Sequence, residues 1–113
     1  MKSKPNWVFH MNKVVISPEA RKDLSEIKEY ISENLGSPQS AQNTVGKVMS
    51  KLRELEAFSG IGTPLSSIID IETDYRFLVC ENYLAFYRTE KNMVYVDRII
   101  YKKRNYIGIL FGE

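Results

Sequence analysis

Toward the C-terminal end of the chain, six cations stand among six tyrosines. Arg76, Arg88, Arg98, Lys102, Lys103 and Arg104 interleave with Tyr75, Tyr83, Tyr87, Tyr95, Tyr101 and Tyr106. Arginine and lysine bind phosphate oxygens, and tyrosine stacks on bases or donates a hydrogen bond. An arginine also stabilises charge that develops on a scissile phosphate, while lysine or tyrosine exchanges protons where its pKa is shifted. The same residues have a plainer use. Tyrosine favours strands, and edge strands carry cations that resist sheet-to-sheet aggregation. From residue types alone, a basic site and a solvated strand end stand about level.

Charge is unevenly spread. The formal net charge is only +2. From Lys13 to Glu56 seven basic residues balance seven acidic ones, and from Ala57 to Asp97 three basic face six acidic. From Arg98 onward four basic residues face one acidic, so the positive field gathers around the stretch YKKRNY, Tyr101 to Tyr106.

Other chemistries find little support. His10 is the only histidine and precedes the first strand, which argues against a Ser-His-Asp or Cys-His arrangement. With one histidine, one cysteine and no spaced acidic cluster, no metal site is expected. SGIGTP lacks the lysine and the strand-to-helix setting of a phosphate loop, and no cofactor is expected. Cys80, the only cysteine, reads as a small core residue; it rules out an internal disulfide and suits a reducing compartment. The charged residues of EARKDLSEIKEYISE, Asp23 among them, read as a solvated helix face.

The elements that must position the cations follow from patterning. At 113 residues the chain is one domain, large enough to bury a core unaided. Its apolar runs are far shorter than the roughly 20 residues that span a bilayer. The first ten residues lack the continuous apolar core of a signal peptide, so a cytoplasmic location is expected, with no membrane partner. NKVVIS reads as a short buried strand. Ser17, Pro18 and Glu19 then open a helix whose apolar face is Ala20, Leu24, Ile27, Ile31 and Leu35, with Gly36 as its stop. Ser37 and Pro38 open a second helix on Ala41, Val45, Val48, Leu52 and Leu55. The short connection predicts an antiparallel helical hairpin. YRFLVCE, YLAFYRTE and MVYVDRIIY, joined around Asn82 and Lys91–Asn92, predict a three-stranded antiparallel meander. NYIGILF fits either a last strand or a helical turn. The order β-α-α-β-β-β indicates an α+β fold: a helical hairpin packed on one face of a curved, mainly antiparallel sheet, the other face left to solvent or a partner.

From Met11 to Phe111 this order resembles the RelE/ParE superfamily of bacterial toxins, the toxin halves of type II toxin–antitoxin modules. VVISPEARKDLSEIKEYI, LGSPQSA, DYRFLV, YLAFYR and VDRIIYKKRNYIGILF carry the resemblance. It implies that residues 11–113 form the toxin domain and that residues 1–10 are an extension, in which Trp7, Val8 and Phe9 could lengthen the first strand. It implies a small antitoxin encoded nearby as partner, and one of two targets: DNA gyrase for ParE-like members, or messenger RNA on the ribosome, cut without a metal, for RelE-like members. Carried over residue by residue, the RelE-like strand cations would fall at Tyr75, Phe77 and Leu84, and only the closing-strand arginine survives, as Arg104. For a nuclease the catalytic candidates are therefore Arg104, Lys103, Lys102, Arg76 and Tyr106; Arg88, Arg98, Tyr87 and Tyr101 are candidates for binding a target. The missing cations and the long hairpin favour the ParE-like reading. An inert, binding-only relative is the third alternative.

Overall fold

The computed structural model describes residues 11–112; the expected extension, with His10 and Trp7–Phe9, lies outside the described residues. The elements are β1 (Lys13–Ile16), α1 (Pro18–Glu29), α2 (Pro38–Arg53), β2 (Thr63–Pro64), β3 (Arg76–Cys80), β4 (Tyr83–Glu90), β5 (Met93–Tyr101) and α3 (Tyr106–Phe111). The α+β order expected from the sequence is present, with β2 and α3 added to it.

Both long helices start as their caps dictate. Ser17 Oγ accepts the Ala20 N–H at 3.0 Å, and Ser37 Oγ accepts the Ser40 N–H at 3.3 Å, each followed by proline in the first turn. After Glu29 the helix loosens into a π-helical turn, Tyr30–Asn34, and Gly36 reverses the chain at φ +64°. The antiparallel hairpin is thereby closed.

The sheet order is β1-β5-β4-β3-β2; β1 runs parallel to β5 and every other pairing is antiparallel. A parallel neighbour needs a long crossover, which the helical hairpin and the meander supply. The register of β4 on β5 slips once. Phe86 faces Arg98 while Tyr87 faces Val96, so Asp97 is the extra residue of a β-bulge.

Alternation along the strands sends apolar side chains to both faces. On the helical side, Leu78, Ala85, Tyr87, Val94, Val96 and Ile99 pack with Ala20, Val48, Leu52 and Leu55. On the other side, Leu84, Phe86 and Ile100 are buried with Leu65. This second face was expected to be open. It is instead covered by α3, through Tyr106, Ile109, Leu110 and Phe111, because a face bearing Leu84, Phe86 and Ile100 is too apolar to leave in water. NYIGILF is therefore a helix: Asn105 Oδ1 caps it by accepting the Gly108 N–H at 3.2 Å.

Candidate functional site

Five of the nine candidates lie on β3, β4 and β5 and four follow β5 in the closing turn and α3, and the sheet separates them into two poles. Lys102, Lys103 and Arg104 form the exposed turn that leaves β5, with Tyr101 just before it. That turn is fixed at its base, where the Lys102 N–H donates to the Asn82 carbonyl and the Arg104 N–H donates to the Tyr101 carbonyl, each at 2.9 Å. Tyr106 follows on α3 and stacks, tilted, on Phe86 with ring centroids 5.3 Å apart. Arg76, Tyr87 and Arg88 sit at the opposite end, since Arg76 pairs with Tyr87 whereas Tyr101 pairs with Tyr83. Four residues of strand, roughly 13 Å, lie between the poles. The five catalytic candidates are thus not brought together: Arg76 is apart from the other four.

Several candidates already have partners. Arg76 Nη1 donates to the Gly62 carbonyl at 2.8 Å and ties the loop after α2 to β3. Tyr87, a candidate for binding a target, is fully buried. Its hydroxyl accepts the Gly62 N–H at 2.9 Å and donates to the Ser59 carbonyl at 2.7 Å, while burial pushes its pKa up. Gly62 cannot be larger, because a Cβ there would meet Tyr87 Oη at 2.5 Å. Arg98 lies beside α1 and gives a bidentate pair to Asp23, Nε to Oδ2 and Nη2 to Oδ1, both at 2.9 Å. Asp23 Oδ2 also accepts the Ile99 N–H at 2.8 Å. Tyr87 and Arg98 consequently serve the fold, and Asp23, read from the sequence as solvated, is the one buried carboxylate among the described residues, 8% exposed. Its position was legible. Asp23 lies three residues after Ala20 and four before Ile27, on the buried side of the helix.

A second polar knot grows from the bulge. Asp97 Oδ2 accepts the Tyr75 hydroxyl at 2.9 Å and Arg88 Nε at 3.0 Å, and Arg88 lies over the Tyr95 ring, 4.8 Å from its centroid. Burial, then the bond to Asp97 and its charge, push the Tyr75 hydroxyl up to about 12, and Asp97 holds Arg88 charged. The Tyr75 ring meets Phe111 of α3 edge-on at 6.2 Å. Neither Asp97 nor its bulge was anticipated, although a lone acid interrupting VYVDRII marks it. Burial likewise raises the Cys80 thiol to about 11, in keeping with a core residue rather than a nucleophile.

The basic turn borders a groove of roughly 790 Å³ between α1, the start of α2 and the end of β5. Ile27, Tyr30 and Leu35 form one wall; Tyr83, Tyr101 and Arg104 form the other. The Tyr83 and Tyr101 rings meet edge-on at 5.9 Å. Among the described residues no group of metal-ligating side chains occurs, and no helix is long and apolar enough to cross a membrane.

Residues 14–106 match the model of the ParE toxin of the type II toxin–antitoxin system parDE. The chain belongs to this ParE toxin family. The hairpin, the basic turn and all of the sheet but Lys13 lie within the matched stretch. A solved chain of the chromosomal ParDE toxin–antitoxin system from P. aeruginosa shares the fold, with a TM-score of 0.68 over 81% of this chain and 97% of that one at 21% identity. No curated protein sequence matches the chain.

Proposed function

We propose that this ParE-family chain is the growth-arresting toxin of a toxin–antitoxin pair and acts by binding DNA gyrase, without cutting RNA. One observation carries the choice of target. The positions where RelE-like strand cations would fall are Tyr75, Phe77 and Leu84, and all three pack in the apolar layer beneath α3. A phosphate approaching that face would meet rings and aliphatic carbon instead of cations. The charge that builds up during phosphoester cleavage would lose most of its stabilisation. Arg76, the nearest substitute, is committed to Gly62; of the six cations set among the tyrosines, those of the Lys102–Lys103–Arg104 turn have no side-chain partner among the described residues, which favours that turn as the surface for a macromolecular target. A separately encoded antitoxin, of the kind that the ParDE relative's description names, is the proposed partner that holds the toxin in check.

The test is direct. Purified chain is added to gyrase and relaxed plasmid, and in parallel message ends are mapped in cells where the chain is induced. Blocked supercoiling or trapped cleaved DNA supports the proposal. Normal supercoiling at saturating protein, together with new 5′ ends in translated messages that vanish in Arg104→Ala, would sink it.

A further inference from the structure

The basic turn is held at both ends, and the two ends are held differently. Along residues 102–106 every second main-chain N–H donates to a main-chain carbonyl: Lys102 to Asn82, Arg104 to Tyr101 and Tyr106 to Arg104, each at 2.9 Å. The bond from Tyr106 closes a tight turn on Asn105, whose φ of −75° and ψ of 76° are those of an inverse γ-turn. Upstream, the turn continues the β4–β5 ladder from the Tyr83–Tyr101 pair. Downstream it has only α3, six residues long and interrupted by Gly108. A helix this short does not hold itself in water, and glycine weakens it further. Aromatic contacts seat its body, Tyr106 on Phe86 and Phe111 on Tyr75. Its first turn has one side-chain tie among the described residues: Asn105 Oδ1 accepts the Gly108 N–H at 3.2 Å.

We propose that Asn105 is the positioning residue of the target-binding turn: its cap joins the γ-turn to α3 and so fixes the direction in which Lys102, Lys103 and Arg104 are presented. All three cations are exposed, so packing does not order them. A turn left to order itself on binding would lose affinity by the cost of that ordering. Arg104 is the most dependent of the three. It directly precedes the γ-turn and borders a shallow concavity with Asn105, Gly108 and Ile109, so opening the first turn of α3 removes the wall beside it. The residue type fits the role. Aspartate would cap equally well but would set a carboxylate beside Arg104 at the positive pole, whereas asparagine caps without charge.

The inference rests on the reading that this turn binds gyrase, and two readouts on the full chain separate the two. Asn105→Ala removes the cap. Asn105→Ser keeps a capping oxygen without the amide. The Arg104 and Tyr106 amides report on positioning, because neither bonds to the Asn105 side chain. Both should exchange about fivefold faster in Asn105→Ala and return to within about twofold of the unaltered chain in Asn105→Ser. Half-inhibition of supercoiling should likewise take about five times more Asn105→Ala chain and be restored in Asn105→Ser, with all melting temperatures within a few degrees. Unchanged Arg104 and Tyr106 exchange in Asn105→Ala would overturn the positioning role, whatever the chain does to gyrase. So would an Asn105→Ser chain as impaired as Asn105→Ala, since the amide itself would then be the contact. Exchange that follows the cap in a chain that leaves gyrase untouched would remove the target reading and keep the positioning of the turn.

Discussion

Asp23 fixes the junction of α1 with β5 by accepting three hydrogen bonds at once, two from Arg98 and one from the Ile99 main chain. Removing the carboxylate leaves a half-buried guanidinium and a buried N–H without partners, and such losses cost more than the bond itself was worth. Asp23→Ala should therefore destabilise the protein by about 3 kcal/mol, read as a lower urea midpoint with an unchanged slope. Glu19→Ala, one turn earlier at an exposed position, should move the midpoint little. Tyr75 gives a pH signature. Its hydroxyl is held up to about 12 by burial and by Asp97, against an ordinary value of about 10. Between these values the folded state keeps a proton that the unfolded chain has released. The stabilisation is thus fully present below pH 10 and is lost as pH rises through 12. Denaturation midpoints measured from pH 9 to pH 11.5 should fall less steeply in Tyr75→Phe than in the unaltered chain. Tyr83 and Tyr87, raised mainly by burial, contribute the same sign to both proteins and cancel in the comparison.

At the scale of elements, the two hairpin turns of the meander are tight and each places a residue other than glycine in the left-handed region, Glu81 at φ 56° and Lys91 at φ 55°. Two-residue connections need this backbone because its twist matches that of the strands. Glu81 has a compensating ion pair to Lys47, whereas Lys91 is exposed with no ion pair among the described residues. Lys91→Gly should accordingly stabilise the protein by about 1 kcal/mol, seen as a rise in melting temperature of several degrees. The turns, caps and helix faces were legible in the sequence because each is a local preference: Ser-Pro twice, apolar residues at helical spacing, and Asn82 and Asn92 between alternating strands. α3 was not, since NYIGILF has no period of its own and becomes helical only by lying on Leu84, Phe86 and Ile100. Its anchors are long-range contacts, Tyr106 on Phe86 and Phe111 on Tyr75. Phe111→Ala should cost about 2–3 kcal/mol and increase binding of an apolar dye, as the second sheet face becomes exposed. For the same reason the cations could be counted in the sequence but not sorted. Arg98 and Arg104 are six residues apart on one segment. Only tertiary packing puts Asp23 beside the first and open water beside the second.

Across the whole molecule, sorting the cations by partner leaves one strongly positive pole. Arg76 is held by loop carbonyls, Arg88 by Asp97 and Arg98 by Asp23, whereas Lys102, Lys103 and Arg104 project from a turn whose own main chain is tied down at Asn82 and Tyr101. A rigid base with exposed charges on it suits encounter with a larger, acidic partner surface, where steering by the summed field raises the association rate and is weakened by salt. Replacing the three by glutamate removes the pole without touching either core, because all three side chains are exposed. The triple variant should keep its melting temperature within a few degrees. The inhibition of gyrase proposed for the unaltered chain should fall by about tenfold or more in this variant, and any salt dependence of that inhibition should flatten. Adding Tyr106→Ala separates contact from charge. Tyr106 belongs to the second core, so this change should lower stability first, and its effect on inhibition should track the loss of folded protein. A triple variant that inhibits gyrase as strongly as the unaltered chain would move the target-binding surface away from the turn and onto the helical hairpin.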